Sequence, residues 1–141
     1  MTRKSPFLTV LMVLAGALLL ATPALAHHGS SAYSDKITTL KNATVTKFQW
    51  GNPHSIVFFD ATDEKGNVAH WAAEAGSPSA LSLIGWSKNA VQPGDRITVY
   101  VFQAKSGNAV GRLNKIVLTD GTELKDSQLG GSKYSDAEPA K

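Results

Sequence analysis

Ser77-Pro78-Ser79-Ala80-Leu81-Ser82-Leu83-Ile84-Gly85 carries the signals of one short helix in a chain whose other ordered segments read as strands. Ser77 is a good N-cap. Pro78 suits the first helical position, where its missing N–H would have had no partner, and Gly85 can take the positive φ that ends a helix. Trp86 is expected to pack just beyond that end. Three strand-like runs come first, at residues 40–50, 55–59 and 68–75, separated by the turn Gly51-Asn52-Pro53 and a polar hairpin loop over 61–67. Alternation in the first run is imperfect, as in a long curved or bulged strand. Two more runs follow, at 96–103 and 110–118; the first alternates Ile97, Val99 and Val101 against Thr98, Tyr100 and Phe102. Asp120-Gly121 stops the last run.

Three strands, a helix and two strands is the order β-β-β-α-β-β of a five-stranded OB-like Greek-key barrel, in which the helix plugs one end between strands three and four. An open β-sandwich with one crossover helix has the same order. Either way the class is mostly β with one short helix.

Upstream of these runs, Arg3 and Lys4 precede an uncharged apolar stretch from Phe7 to Ala21. Pro23-Ala24-Leu25-Ala26 then ends in a small-x-small cleavage pattern. Residues 1–26 therefore read as a signal peptide whose removal leaves His27 as the first residue. An uncleaved anchor is the alternative, but the run is short for one and its small-residue end favours cleavage. Residues 27–37 read as an irregular N-terminal arm, 38–124 as the barrel domain, and 125–141, polar and poor in apolar side chains, as a disordered tail. The expected location is the periplasm, with no stable membrane anchoring after cleavage.

Removal of residues 1–26 leaves 115 of the 141 residues, enough for one domain with its own core. The formal charge of +3 comes from fourteen Lys+Arg against eleven Asp+Glu. Two of the basic residues lie in the signal, so the mature balance is twelve against eleven. Such a domain lacks the concentrated positive patch that a nucleic-acid backbone requires. The chain has no cysteine, which removes any disulfide framework, thiolate metal site or cysteine nucleophile. An exported domain held by its core alone fits a bacterial periplasm better than an animal extracellular space.

Side chains alternate across strands, so faces follow from pairing. Symmetric closure of the loop over 61–67 pairs Asp60 with Val68, Val57 with Trp71 and Phe59 with Ala69. Ser55, Val57, Phe59, Ala69, Trp71 and Ala73 then share the core face. His54, Ile56, Phe58 and Asp60 share the other face with Val68, His70, Ala72 and Glu74. On this register His54 stands across from Glu74 and His70 from Phe58. A slip of one residue would invert the assignment. In an OB-fold this outer face of strands two and three is the usual ligand face.

Ala26-His27-His28, Trp50-x-Asn52-Pro53-His54, Trp71-x-x-Glu74-x-Gly76-Ser77-Pro78, Gly85-Trp86 and Pro93-Gly94-Asp95 occur together over residues 26–124. In this combination the chain resembles an uncharacterised family of bacterial exported proteins, domain of unknown function 6152. The resemblance implies a small periplasmic β-domain of the same architecture and carries no activity with it.

The candidate chemistry starts at the new N-terminus. An N-terminal His27 can chelate a metal through its α-amine and Nδ1, and a further imidazole completes a three-nitrogen set. Amine and imidazole nitrogens suit Cu(II), which tops the divalent affinity series. His28 can instead bind from the second position through the backbone amide. His54 is the best imidazole from elsewhere in the chain, with Glu74 as ligand or supporting acceptor. The plainer reading is a solvated His pair on an arm, since two histidines without a fixed third ligand are a weak metal signal. His54 can equally be a turn residue bonded to backbone, His70 a surface strand residue, and Glu74 a carboxylate near a helix start.

No G-x-S-x-G elbow, P-loop, G-x-G-x-x-G, H-E-x-x-H or EF-hand pattern occurs, so the reading leans away from an enzyme. The leading expectation is a periplasmic binding module holding copper through His27, His28, His54 and Glu74, in metal handling or delivery to a protein partner. The alternative is a metal-free module that takes a protein or small ligand on the Ile56, Phe58 and His70 face.

Overall fold

A computed structural model describes residues 32–63 and 65–127. The expected signal peptide, His27, His28 and residues 128–141 of the expected tail lie outside the described residues. Six strands and one helix follow in the order β1 (Tyr33–Gln49), β2 (Ile56–Thr62), β3 (Val68–Glu74), α1 (Pro78–Ser82), β4 (Arg96–Ala104), β5 (Val110–Leu118) and β6 (Glu123–Lys125). The class is mostly β, as expected. Among the described residues no helix is long and apolar enough to cross a membrane.

The strands form one sheet in the order β3-β2-β1-β4-β5-β6, with antiparallel neighbours. β3 also pairs with β5 in parallel, from Ala72 opposite Val110 to Glu74 opposite Arg112. β1 serves two partners, β2 and β4, and its register shifts at Val45/Lys47, Leu40/Ala43 and Tyr33/Ile37. These irregularities explain the broken alternation of its sequence, and Asn42 takes a φ of 55° at one of them.

Helix α1 is shorter than the run that predicted it. Ser77 caps it, its hydroxyl accepting from the Ala80 amide at 3.3 Å, and Pro78 opens it. The chain then tightens: the amides of Ile84 and Trp86 both donate to the Leu81 carbonyl, and Gly85 turns at φ 96°. Leu81 and Trp86 are thereby buried, while Leu83 and Ile84 stay exposed.

Three expectations need correction. Among the described residues the strands number six, because the turn at Asp120-Gly121 is a hairpin and not a stop. The Gly121 amide donates to the Leu118 carbonyl and the Leu118 amide to that of Thr122, which returns the chain as β6 along β5. Lys125, read as the start of a tail, belongs to β6, and its carbonyl accepts the Trp86 indole N–H at 2.8 Å. A buried indole needs such an acceptor, and local composition does not reveal it. At the other end, Tyr33 to Ile37 of the expected arm are strand, paired with Ala104 and Phe102 of β4.

The β2–β3 register is the third correction. Val57 faces Ala73, Phe59 faces Trp71 and Asp60 faces His70, two residues from the symmetric pairing. Asp63 is the cause. Its side chain accepts the amides of Lys65 and Asn67 and the Asn67 side-chain N–H, closing the loop more tightly so that the strands run on to Thr62 and Val68. A slip of two residues preserves the faces. Val57, Phe59, Trp71 and Ala73 are buried as assigned, with the Phe59 and Trp71 rings stacked 6.2 Å apart. Ala69, also assigned to the core, lies near the hairpin tip and is exposed.

The core gathers Val45, Phe59, Leu81, Val99, Leu113 and Ile116, all at most 1% exposed. Each such side chain contributes about 1.5–3 kcal/mol through removal from water. A second small cluster, Ile37 and Phe102 with Tyr33 and Tyr100 against them, covers another part of the sheet.

Candidate functional site

Ser55 anchors the corner where β2 begins. Its amide donates to the Gly76 carbonyl and its carbonyl accepts from the Ala75 amide, so pairing continues one step past the strand ends. His54 precedes that anchor. Ile56, not His54, is the Cα partner of Glu74, yet the His54 side chain leans along the edge and its Nδ1 contacts Glu74 Oε1. The two residues expected together are together, one diagonal step off the expected pairing. His54 is exposed and Glu74 half-buried.

Two residues that the sequence reading did not single out stand beside them. Arg112 is the Cα partner of Glu74 across the β3–β5 pairing, and its Nε is buried with no hydrogen-bond partner among the described residues. Tyr33, at the start of β1, is close enough to feel both charges. Burial pushes its hydroxyl above the ordinary 10.0 and the Glu74 carboxylate adds to this, while Arg112 pulls the other way. No short-range signal marks either residue. Arg112 meets Glu74 only because a parallel pairing joins strands separated by a helix and a whole antiparallel strand.

His70 lies farther along the same outer face. It does not face Phe58, which pairs with Ala72. Its Nδ1 is 2.6 Å from Oδ1 of Asp60, its true cross-strand partner. Phe58 and Ile56 are half-buried, and the Lys47 ammonium stands 5.6 Å above the Phe58 ring. Among the described residues no three His, Asp or Glu side chains gather in a way that could hold a metal ion. His54 and Glu74 therefore supply one imidazole and one carboxylate. His27 and His28, the remaining expected ligands, lie outside the described residues.

A histidine with Nδ1 on a carboxylate keeps Nε2 free toward solvent. That is the usual setting of a metal-ligating imidazole, whose tautomer and ring orientation its carboxylate partner fixes. The same contact in a protein without metal is a surface ion pair of small energetic weight.

No curated protein and no solved structure matches the chain. A family model described as a family of unknown function does match it, over residues 16–114, from within the apolar N-terminal stretch to β5. The chain belongs to that family, DUF6152.

Proposed function

We propose that this protein is a small exported binding module, built as an OB-like barrel, that holds a copper ion at the mature N-terminus. The parallel β3–β5 pairing supports the barrel reading: the pairings then run β1-β2-β3-β5-β4 and back to β1. Helix α1 falls between β3 and β4, as in that architecture.

The single observation that carries the metal reading is the contact of His54 Nδ1 with Glu74. It orients an exposed imidazole and leaves Nε2 as a donor. His27, through its amine and imidazole, supplies the other nitrogens, with His28 as the second-position alternative. The Ala32 carbonyl accepts the Lys105 amide at 2.9 Å, which fixes where the chain enters the sheet. Five residues back to His27 span up to about 17 Å when extended. Tyr33, next after Ala32, already feels the Glu74 charge. The reading places the protein in a bacterial periplasm, receiving or delivering metal through a protein partner, and assigns it no reaction.

The second reading, a metal-free ligand or protein face at Ile56, Phe58 and His70, has less behind it, since Lys47 covers the Phe58 ring. One experiment separates the two. The protein is expressed with its own leader, the mature N-terminus is confirmed by mass spectrometry, and Cu(II) is titrated. The copper reading expects micromolar or tighter binding, about 8 kcal/mol, lost when one Gly precedes His27 and weakened by His54→Ala. Absent binding, or binding indifferent to the added Gly, overturns it.

A further inference from the structure

Asp60, Thr44 and Arg96 are successive cross-strand partners on β2, β1 and β4, and His70 extends the row onto β3. The row borders a recess of about 470 Å³ at the β2–β3 hairpin end, lined also by Lys41, Asn42 and Thr62. We propose that this recess binds a sugar-sized, polyhydroxylated molecule bearing one oxyanion group, whether a phosphate monoester or a carboxylate. The site is independent of the metal reading and uses none of its residues.

The availability of donors carries the argument. Two carboxylates and two cations line the recess. Asp63 is committed to its own turn and Asp60 holds His70 with one oxygen, while neither cation is paired among the described residues. Asp63 spends both oxygens inside its own turn, accepting from Lys65 and Asn67 at 2.8–3.0 Å. The Asn67 side chain and then its amide hold the Asp63 carboxyl below its ordinary range, so it stays an acceptor for those donors. Asp60 gives one oxygen to His70 at 2.6 Å. Arg96 shares a row with Asp60 yet has no ion-pair partner among the described residues, and neither has Lys41. A guanidinium and an ammonium on one concave wall suit an oxyanion, and the planar guanidinium fork fits phosphate or carboxylate.

Size and lining identify the rest of the ligand. The recess has the volume of an ordinary small-molecule site and is far larger than a lone phosphate ion. Thr44, Thr62 and Asn42 offer hydroxyl and amide groups that both donate and accept, and the second Asp60 oxygen accepts. Several hydroxyls on a compact frame would use them. The wall carries one apolar side chain among those named here, Val68, which disfavours an apolar ligand.

The test is a two-dimensional amide NMR titration of the mature protein in EDTA. The probes are glucose 6-phosphate, glucuronate, glucose and inorganic phosphate. The proposal expects at least one of the two sugar acids to shift the Thr44, Thr62 and Arg96 amides, with glucose far weaker. Whichever acid binds identifies the headgroup. Arg96→Gln should weaken that binding about tenfold or more, Arg96→Lys less, and added salt should weaken it in the unaltered protein. His54→Ala should leave it unchanged, which separates this site from the copper reading. Lys41→Gln, at an exposed position, carries the test if the Arg96 variants fail to fold. The proposal is overturned if neither sugar acid shifts those amides, if glucose binds as well, if inorganic phosphate alone binds, or if the folded Gln variants bind unchanged.

Discussion

The Asp126 carboxylate accepts the backbone amide of Gly76 at 2.7 Å, tying the residue just past β6 to the loop that leads from β3 into α1. The pair is buried, and Gly76 is packed so closely that an added Cβ would meet the Ser127 hydroxyl at 2.0 Å. Asp126 also donates its own amide to the Asn114 carbonyl at 2.9 Å, so the segment just past β6 is fastened on two sides. Asp126→Ala strands the Gly76 N–H away from water and is expected to cost about 1–3 kcal/mol. A denaturant midpoint that falls while the slope is unchanged would show it. A midpoint equal to that of the parent would mean that this contact fastens nothing.

Phe59 is fully buried, stacks on Trp71 and pairs with Val45 on its other side. Phe59→Ala opens a cavity between two strands that cannot collapse without breaking their register. The expected loss is about 3–5 kcal/mol, read by thermal or chemical unfolding. A loss below about 1 kcal/mol would place the core elsewhere.

Glu74→Gln keeps the size of the side chain and removes its charge from His54. If Glu74 orients the imidazole toward a metal, Cu(II) affinity should fall about 10- to 100-fold while the fold is kept. Unaltered affinity would show that His54 and Glu74 form an ion pair and nothing more.

Tyr33 gives a pH test that needs no metal. Its hydroxyl is held above 10.0 by burial first and by Glu74 second, so the folded state keeps the phenol proton longer than the unfolded chain does. The unfolded state therefore binds fewer protons once pH passes the ordinary value. The associated stability is complete below that value and is lost as pH rises through the folded one. Glu74→Gln should bring the Tyr33 transition back toward 10.0, measured by phenolate absorbance with Tyr33→Phe to assign the signal. An unmoved transition would separate Tyr33 from Glu74.

The outer-face residues were legible for a simple reason. His54, Ile56, Phe58 and Asp60 are spaced by two, and any even slip leaves them on one face, so the proximity of His54 and Glu74 survived an error in register. The partner of His70 did not survive it, because the Asp63 turn sets which residue stands opposite. A turn of that kind is a side-chain to backbone device that an outline of loop length misses.

Short-range signals in the chain were sufficient for the mostly β class, the capped helix between the third and fourth strands, and the apolar faces of β2 and β4, because period and capping act over a few residues. The sixth strand returns through a local hairpin at Asp120-Gly121, whereas the buried Asp126–Gly76 contact and the pairing of Arg112 with Glu74 join residues far apart in sequence. Such contacts exist only once the sheet has twisted β3 onto β5, and no local pattern encodes them.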